Sequence, residues 1–231
     1  MAYESTRAAL DSLECAHRDD GDGGYRLASA LCEYRIGMPA SSAEEWDSVL
    51  MEWAKDETSG RWGVALEALA REGSRDVTKT LSVLLVSHEG SSEWREYVIH
   101  TLIRQGYATP ALVSEVRSAA LQKSALGLPN LARLIVLVPQ QLKTAAQCFV
   151  EAIHSGEVDY AESNVPPFVY AALDSGPDLL VDLVQAVSLI ERRAGVRLGN
   201  MIIEYLGKPF VQSRFERGTL LELLEKLRPF T

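Results

Sequence analysis

The sequence predicts an all-α protein of about twelve to thirteen helices, arranged as antiparallel pairs stacked on one another. Three observations lead there. Apolar residues recur at spacings of three and four in segment after segment, the period of one helix face. Glycine and proline stand at the segment ends, where helices stop and start. RWGVALEALAREG (61–73) and EWREYVIHTLIRQG (93–106) align with Gly73 over Gly106, an offset of 33 residues. Periods of that size mark two-helix units, none of which buries its apolar face alone. Short β-rich runs such as FVY (168–170) lack alternation and a partner, so no strand is expected.

In chain order, residues 3–18 carry Leu10, Leu13 and His17 at helical spacing, with Ser5 or Thr6 as cap. DDGDGG (19–24) ends that helix in a solvated turn. A second helix over 25–36 stops at Gly37 and Pro39. A third, 41–57, opens with Ser42 and Glu45 at capping-box spacing and carries the stripe Trp46, Val49, Leu50, Trp53. The repeat follows: 61–73 is read as paired with 75–90, and 93–106 with 109–123, where Thr109 caps and Pro110 opens the helix. SALGLPN (124–130) connects to an apolar helix over 130–138, and Pro139 leads into 140–156. EVDYAESNVPP (157–167) is the longest polar stretch and reads as an exposed loop or hinge, its paired prolines excluding a continuous helix. Helices over 168–176, 177–195, 196–207 and 219–230 finish the chain. Arg192 and Arg193 are expected in a last turn, and Thr219 with Glu222 at a capping box. The expected organisation is an acidic segment 1–60, central pairs over 61–156 and C-terminal pairs over 168–231, forming one continuous domain with a loop at 157–167.

At 231 residues, with 47% hydrophobic and 24% charged content, the chain has the balance of a globular protein with a sizeable core. Cys15, Cys32 and Cys148 form neither a disulfide framework nor a C-x-x-C pair. Cys148, among Ala145, Phe149 and Ile153, reads as core. The N-terminus MAYESTRAALDSLE has no basic-then-apolar leader, and the apolar runs at 81–86 and 131–138 are too short to span a bilayer. A cytoplasmic protein without membrane association is expected.

Net charge is −9, unevenly spread. Residues 1–60 hold 13 acidic and 5 basic side chains, whereas 191–228 holds 8 basic and 5 acidic. An acidic chain repels phosphate backbones, so nucleic-acid binding is not expected. An acidic face instead steers association with a basic protein. The same charges also serve plain solubility.

SEWREYVIHTLIRQG (92–106) resembles the second half of a HEAT-type repeat, with the hydrophobic–Arg pair Trp94–Arg95 leading an apolar helix that ends in Gly106. RWGVALEALAREG is similar in its tail. The resemblance covers 61–123 and, more loosely, 127–195. It implies an α-solenoid whose concave face is a platform for protein partners. DNA glycosylases of HEAT-like build use a basic groove, which the charge of this chain opposes.

Motifs for chemistry are sparse. DDGDGG lacks both the turn glycine and the bidentate acid of a calcium loop. His88–Glu89 lacks the second histidine of a zinc protease motif, and the four histidines (17, 88, 100, 154) are far apart. No nucleophile elbow, P-loop or dinucleotide fingerprint is present. No cofactor, metal site or catalytic residue is therefore assigned. The expected function is a non-catalytic scaffold that meets a basic protein through Asp19, Asp20, Asp22, Glu44, Glu45 and Asp47. In a specific version, it is a bacterial toxin-neutralising immunity protein. The alternative is an enzyme whose site assembles in a helical cavity from distant residues such as His17, His88 and His100.

Overall fold

The structure, a computed structural model, describes residues 8, 12, 30–31, 40–58, 61–72, 75–87 and 90–230 of the chain. Among these it is all-helical, with thirteen α-helical segments, two 3-10 turns and no strand. The helices expected over 3–18 and 25–36 lie almost wholly outside the described residues. The chain divides into two compact units, Met1–Tyr107 and Ala108–Thr231. That division falls inside the central block expected over 61–156.

In the first unit α1 spans Ala40–Lys55, α2 Trp62–Glu72, α3 Arg75–Ser87 and α4 Ser92–Arg104. The stripes read from the sequence face inward. Trp46, Val49 and Leu50 of α1, Leu66 and Leu69 of α2, Leu81 of α3, and Trp94, Val98 and Leu102 of α4 are all essentially inaccessible. Each such side chain stabilises the fold by ~1.5–3 kcal/mol. Helix α2 packs on α1 and α4, and α3 packs on α4. This shifts the phase of the expected pairing: 62–72 takes its main neighbour from before it, not from the helix after it. Both segments of the 33-residue match, α2 and α4, then occupy the second place of a pair.

The ends of these helices are held by side chains. Ser91 caps α4 by accepting from the Trp94 amide at 3.2 Å. The Arg95 guanidinium donates to the Leu85 carbonyl in the last turn of α3 at 2.9 Å, where a cation suits the helix dipole. Helix α1 begins at Ala40, so Ser42 lies inside its first turn and not ahead of it. After α4 the chain turns left-handed at Gly106 (φ 78°), and the Tyr107 amide bonds back to the Leu102 carbonyl. That closes a Schellman motif, whose left-handed residue is glycine because a Cβ is strained there.

In the second unit α5 spans Pro110–Leu121, α6 Gly127–Leu137, α7 Leu142–His154, α8 Val158–Ser163 and α9 Val165–Ser175. Then α10 spans Asp178–Ile190, α11 Arg192–Leu206, α12 Pro209–Gln212 and α13 Arg217–Leu227. Neighbouring helices α5 and α6 pair, as do α10 and α11. Helices further apart in the chain also pack: α5 on α7, α7 on α10, α6 on α9, and α9 on α11. The core is rich in small residues. Ala132, Ala145, Ala146, Ala152, Ala171 and Ala172 are buried beside Phe149 and Phe168, which meet edge to face at 5.3 Å.

Three details differ from the sequence reading here. Residues 157–167 are not a loop. They hold α8 and the start of α9, with Pro166 and Pro167 in the first turn, where no amide partner is lost. The break the prolines impose is confined to Asn164. Helix α10 ends at Ile190, so Arg192 and Arg193 open α11 instead of closing its predecessor. The turn is that tight because Gly195 lies against Ser188, where an added Cβ would overlap the Ser188 side chain and backbone. Helix α13 starts at Arg217 after Glu216, leaving Thr219 within the helix without a capping role.

Candidate interaction surface

Helix α1 carries two stripes. Trp46, Val49, Leu50 and Trp53 form the buried one. Glu44, Asp47, Ser48, Met51, Glu52 and Lys55 follow at steps of three and one, which places them along an adjacent face of the same helix. With Val77 and Thr80 of α3 they line a groove of about 350 Å³. Its walls mix carboxylates with the apolar Met51 and Val77, which are themselves buried.

The predicted acidic residues fare differently within this frame. Glu44 is exposed on the groove edge. Asp47 lines the same groove but is only 4% exposed, so it shapes the floor more than the rim. Glu45 is half-buried and does not line the groove, and its Oε2 is buried with no hydrogen-bond partner among the described residues. Asp19, Asp20 and Asp22 lie outside the described residues. The sequence reading missed Glu52, Ser48 and Lys55. Their signal was present in the register Glu44–Ser48–Glu52 and Asp47–Met51–Lys55, two rows at i, i+4.

A second set of polar groups ties the helices of the first unit together. Trp94 Nε1 donates to the Ala54 carbonyl at 2.7 Å, and Thr101 Oγ1 to the Leu66 carbonyl at 3.2 Å. Gln105 Nε2 donates to the Leu69 carbonyl at 2.6 Å. Glu67 receives Arg104 at 2.8 Å and Arg71 at 3.0 Å. Burial by itself would raise the Glu67 carboxyl, but the hydrogen bonds and charges of Arg104 and Arg71 outweigh it and hold it below its ordinary value. Trp62 meets Tyr97 edge to face at 5.3 Å.

In the second unit Asn130, Thr144 and Asn164 are buried, and the ion pairs lie near the surface. Lys123 pairs with Glu157, Arg133 with Asp174 at 3.6 Å, and His154 with Glu191 at 3.4 Å. The Tyr170 and Tyr205 hydroxyls lie 3.3 Å apart, with the Arg214 guanidinium over Tyr170 and the Lys208 ammonium over Tyr205. Burial, then the hydrogen bond to Tyr170, pushes Tyr205 up to about 12. Both cations are already stacked on rings, so this cluster latches the C-terminal helices.

Among the described residues Glu162, Glu204, Tyr205 and Lys208 line one small opening of about 80 Å³. No three His, Cys, Asp or Glu side chains among the described residues could hold a metal ion. Cys148 is buried, and burial followed by the charge of Glu151 pushes its thiol up to about 11, opposite to the activation of a nucleophile. His100 is half-buried on α4 and does not line the α1–α3 groove, and His17 and His88 lie outside the described residues. No described helix is long and apolar enough to cross a membrane. Comparison with known proteins brings no relative: no family model, curated protein or solved structure matches this chain.

Proposed function

We propose that the protein is a non-catalytic, cytoplasmic binding scaffold that engages a basic protein through the acidic groove of α1 and α3. The observation that carries this reading is the groove itself. Glu44, Asp47 and Glu52 line one opening together with Met51 and Val77, which suits a cationic side chain with an apolar stem. The charge surplus of residues 1–60 adds long-range steering toward the same kind of partner.

The scaffold is read as a HEAT-like α-solenoid. Supporting this, tertiary polar ties recur at similar chain separations: Ser91 to Glu57 across 34 residues, Thr101 to Leu66 across 35, Lys123 to Glu157 across 34, and Tyr170 to Tyr205 across 35. In the first unit α2 packs on α4, and in the second α5 packs on α7 and α9 on α11, the contacts between alternate helices that layered pairs require. Toxin neutralisation is the specific version of the function. There the groove occludes a basic active site, and its support is composition and charge.

The test uses the double variant Glu44→Lys/Glu52→Lys, two positions on the groove where reversal leaves the Trp46 stripe intact. Co-purification from the source cell, at low and at high salt, should yield a basic protein with the wild type. The variant should lose it by at least roughly tenfold in affinity. A partner retained equally by both proteins, or indifferent to salt, would remove the electrostatic reading.

A further inference from the structure

The second unit holds a groove of different character. Ile135 and Val136 from the end of α6, Pro139 from the following 3-10 turn and Leu142 from the start of α7 form one wall. Ser175 and Gly176 at the end of α9, and Leu179 of α10, form the other. The space is about 350 Å³. Ligand pockets run from about 300 to 1,000 Å³, so this one accommodates side chains better than a cofactor. Val136 and the adjacent Leu137 are each 39% exposed, although both are large aliphatic residues.

The rim is acidic. Asp178 and Asp182 line the groove four residues apart, on one face of α10. Asp178 is held by Lys226 at 2.7 Å. Asp182 is exposed and has no ion-pair partner among the described residues. An aliphatic floor beside an unpaired carboxylate repels anions and leaves a plain apolar ligand with an idle charge. It matches a segment offering an apolar anchor and, one helical turn away, a cation.

We infer that this groove, at the α6–α7 and α9–α10 turns, docks a short amphipathic cationic segment of a partner protein. An aliphatic side chain enters between Val136 and Leu179, and a lysine or arginine meets Asp182. The site is independent of the α1–α3 groove and does not rest on the function proposed for it.

The probe is a synthetic peptide bearing two leucines four positions apart and four lysines, titrated into the full chain with methyl NMR detection. The expected result is saturable shifts at the Ile135, Val136, Leu142 and Leu179 methyls. Affinity should fall roughly tenfold in Val136→Lys and in Asp182→Lys, both surface changes that leave the fold intact by circular dichroism. Glu44→Lys/Glu52→Lys should bind the peptide unchanged, which separates this site from the first. Equal binding by peptides with serine for leucine or glutamate for lysine would overturn the inference. So would shifts confined to the first unit, or unchanged affinity in both groove variants.

Discussion

The two units use similar chain separations between tied helices but different means of holding them. In the first unit, α4 is tied to earlier helices by polar bonds: Trp94 reaches the Ala54 carbonyl of α1 and Thr101 the Leu66 carbonyl of α2, both buried, and the half-buried Gln105 reaches the Leu69 carbonyl of α2. In the second, the helices approach closely through small residues. An added Cβ at Gly127 would lie 2.6 Å from the Ala119 carbonyl oxygen, and one at Gly195 would overlap Ser188. The ion pairs there lie toward solvent. Buried directional bonds penalise any shift of register, because a displaced carbonyl is left unsatisfied. Close packing penalises any gain of volume. The first unit should therefore be sensitive to loss of polar partners and to acid, and the second to added atoms.

The largest expected effect is at Trp94, which joins both terms. Trp94→Ala removes a fully buried ring and strands the Ala54 carbonyl, and should cost about 3–5 kcal/mol in chemical denaturation. Hydrogen exchange should localise the loss to residues 40–107. A loss spread equally over both units would break the comparison. Next is Gly127→Ala, a single methyl in the second unit. Because the atoms it meets are backbone, they cannot swing aside, and the cost should be about 1–3 kcal/mol. Gly106→Ala meets nothing within 4 Å, so it isolates the conformational term at about 1 kcal/mol.

The smallest effect sharpens the electrostatic half. Glu67 has a lowered folded-state value, so it binds a proton less readily folded than unfolded. Its contribution is present above its ordinary value of 4.5 and fades as pH falls through the folded value. In the wild type, stability of the first unit should thus decline below about pH 4.5, and Glu67→Gln should flatten that limb while lowering stability at neutral pH. Glu157→Gln, which removes a solvent-exposed partner of Lys123 in the second unit, should change stability by less than about 1 kcal/mol. A larger loss from Glu157→Gln than from Glu67→Gln at neutral pH would reverse the assignment of polar ties to the first unit.

Helix positions were legible because local periodicity sets which face is apolar, and Trp46, Val49, Leu50 and Trp53 are buried as their spacing requires. Caps were legible where the side chain stood next to proline, as at Thr109, which accepts from the Leu112 amide. They were not legible at Ser42 or Thr219, because packing extends the helix past a residue able to stop it. The prolines at 166 and 167 were read as breakers. Their context, two and three residues after the N-cap Asn164, makes them starters. Of the acidic site, Glu44 and Asp47 were legible as charge. Glu52 and Lys55 were legible only as helical register, and the α3 residues required knowing which helix lies across from α1.

The amino-acid order by itself determined the all-helical class, the inward stripes and the helical register of the two second-place segments. Those properties depend on neighbours within a few turns of one chain. Which helix pairs with which, where the chain divides, and which carboxylates border an opening were decided only in three dimensions. An apolar stripe specifies that it must be covered, and any other stripe of similar width satisfies that demand. The choice among partners falls to long-range geometry: an indole N–H reaching one particular carbonyl, or a glycine that admits one particular backbone.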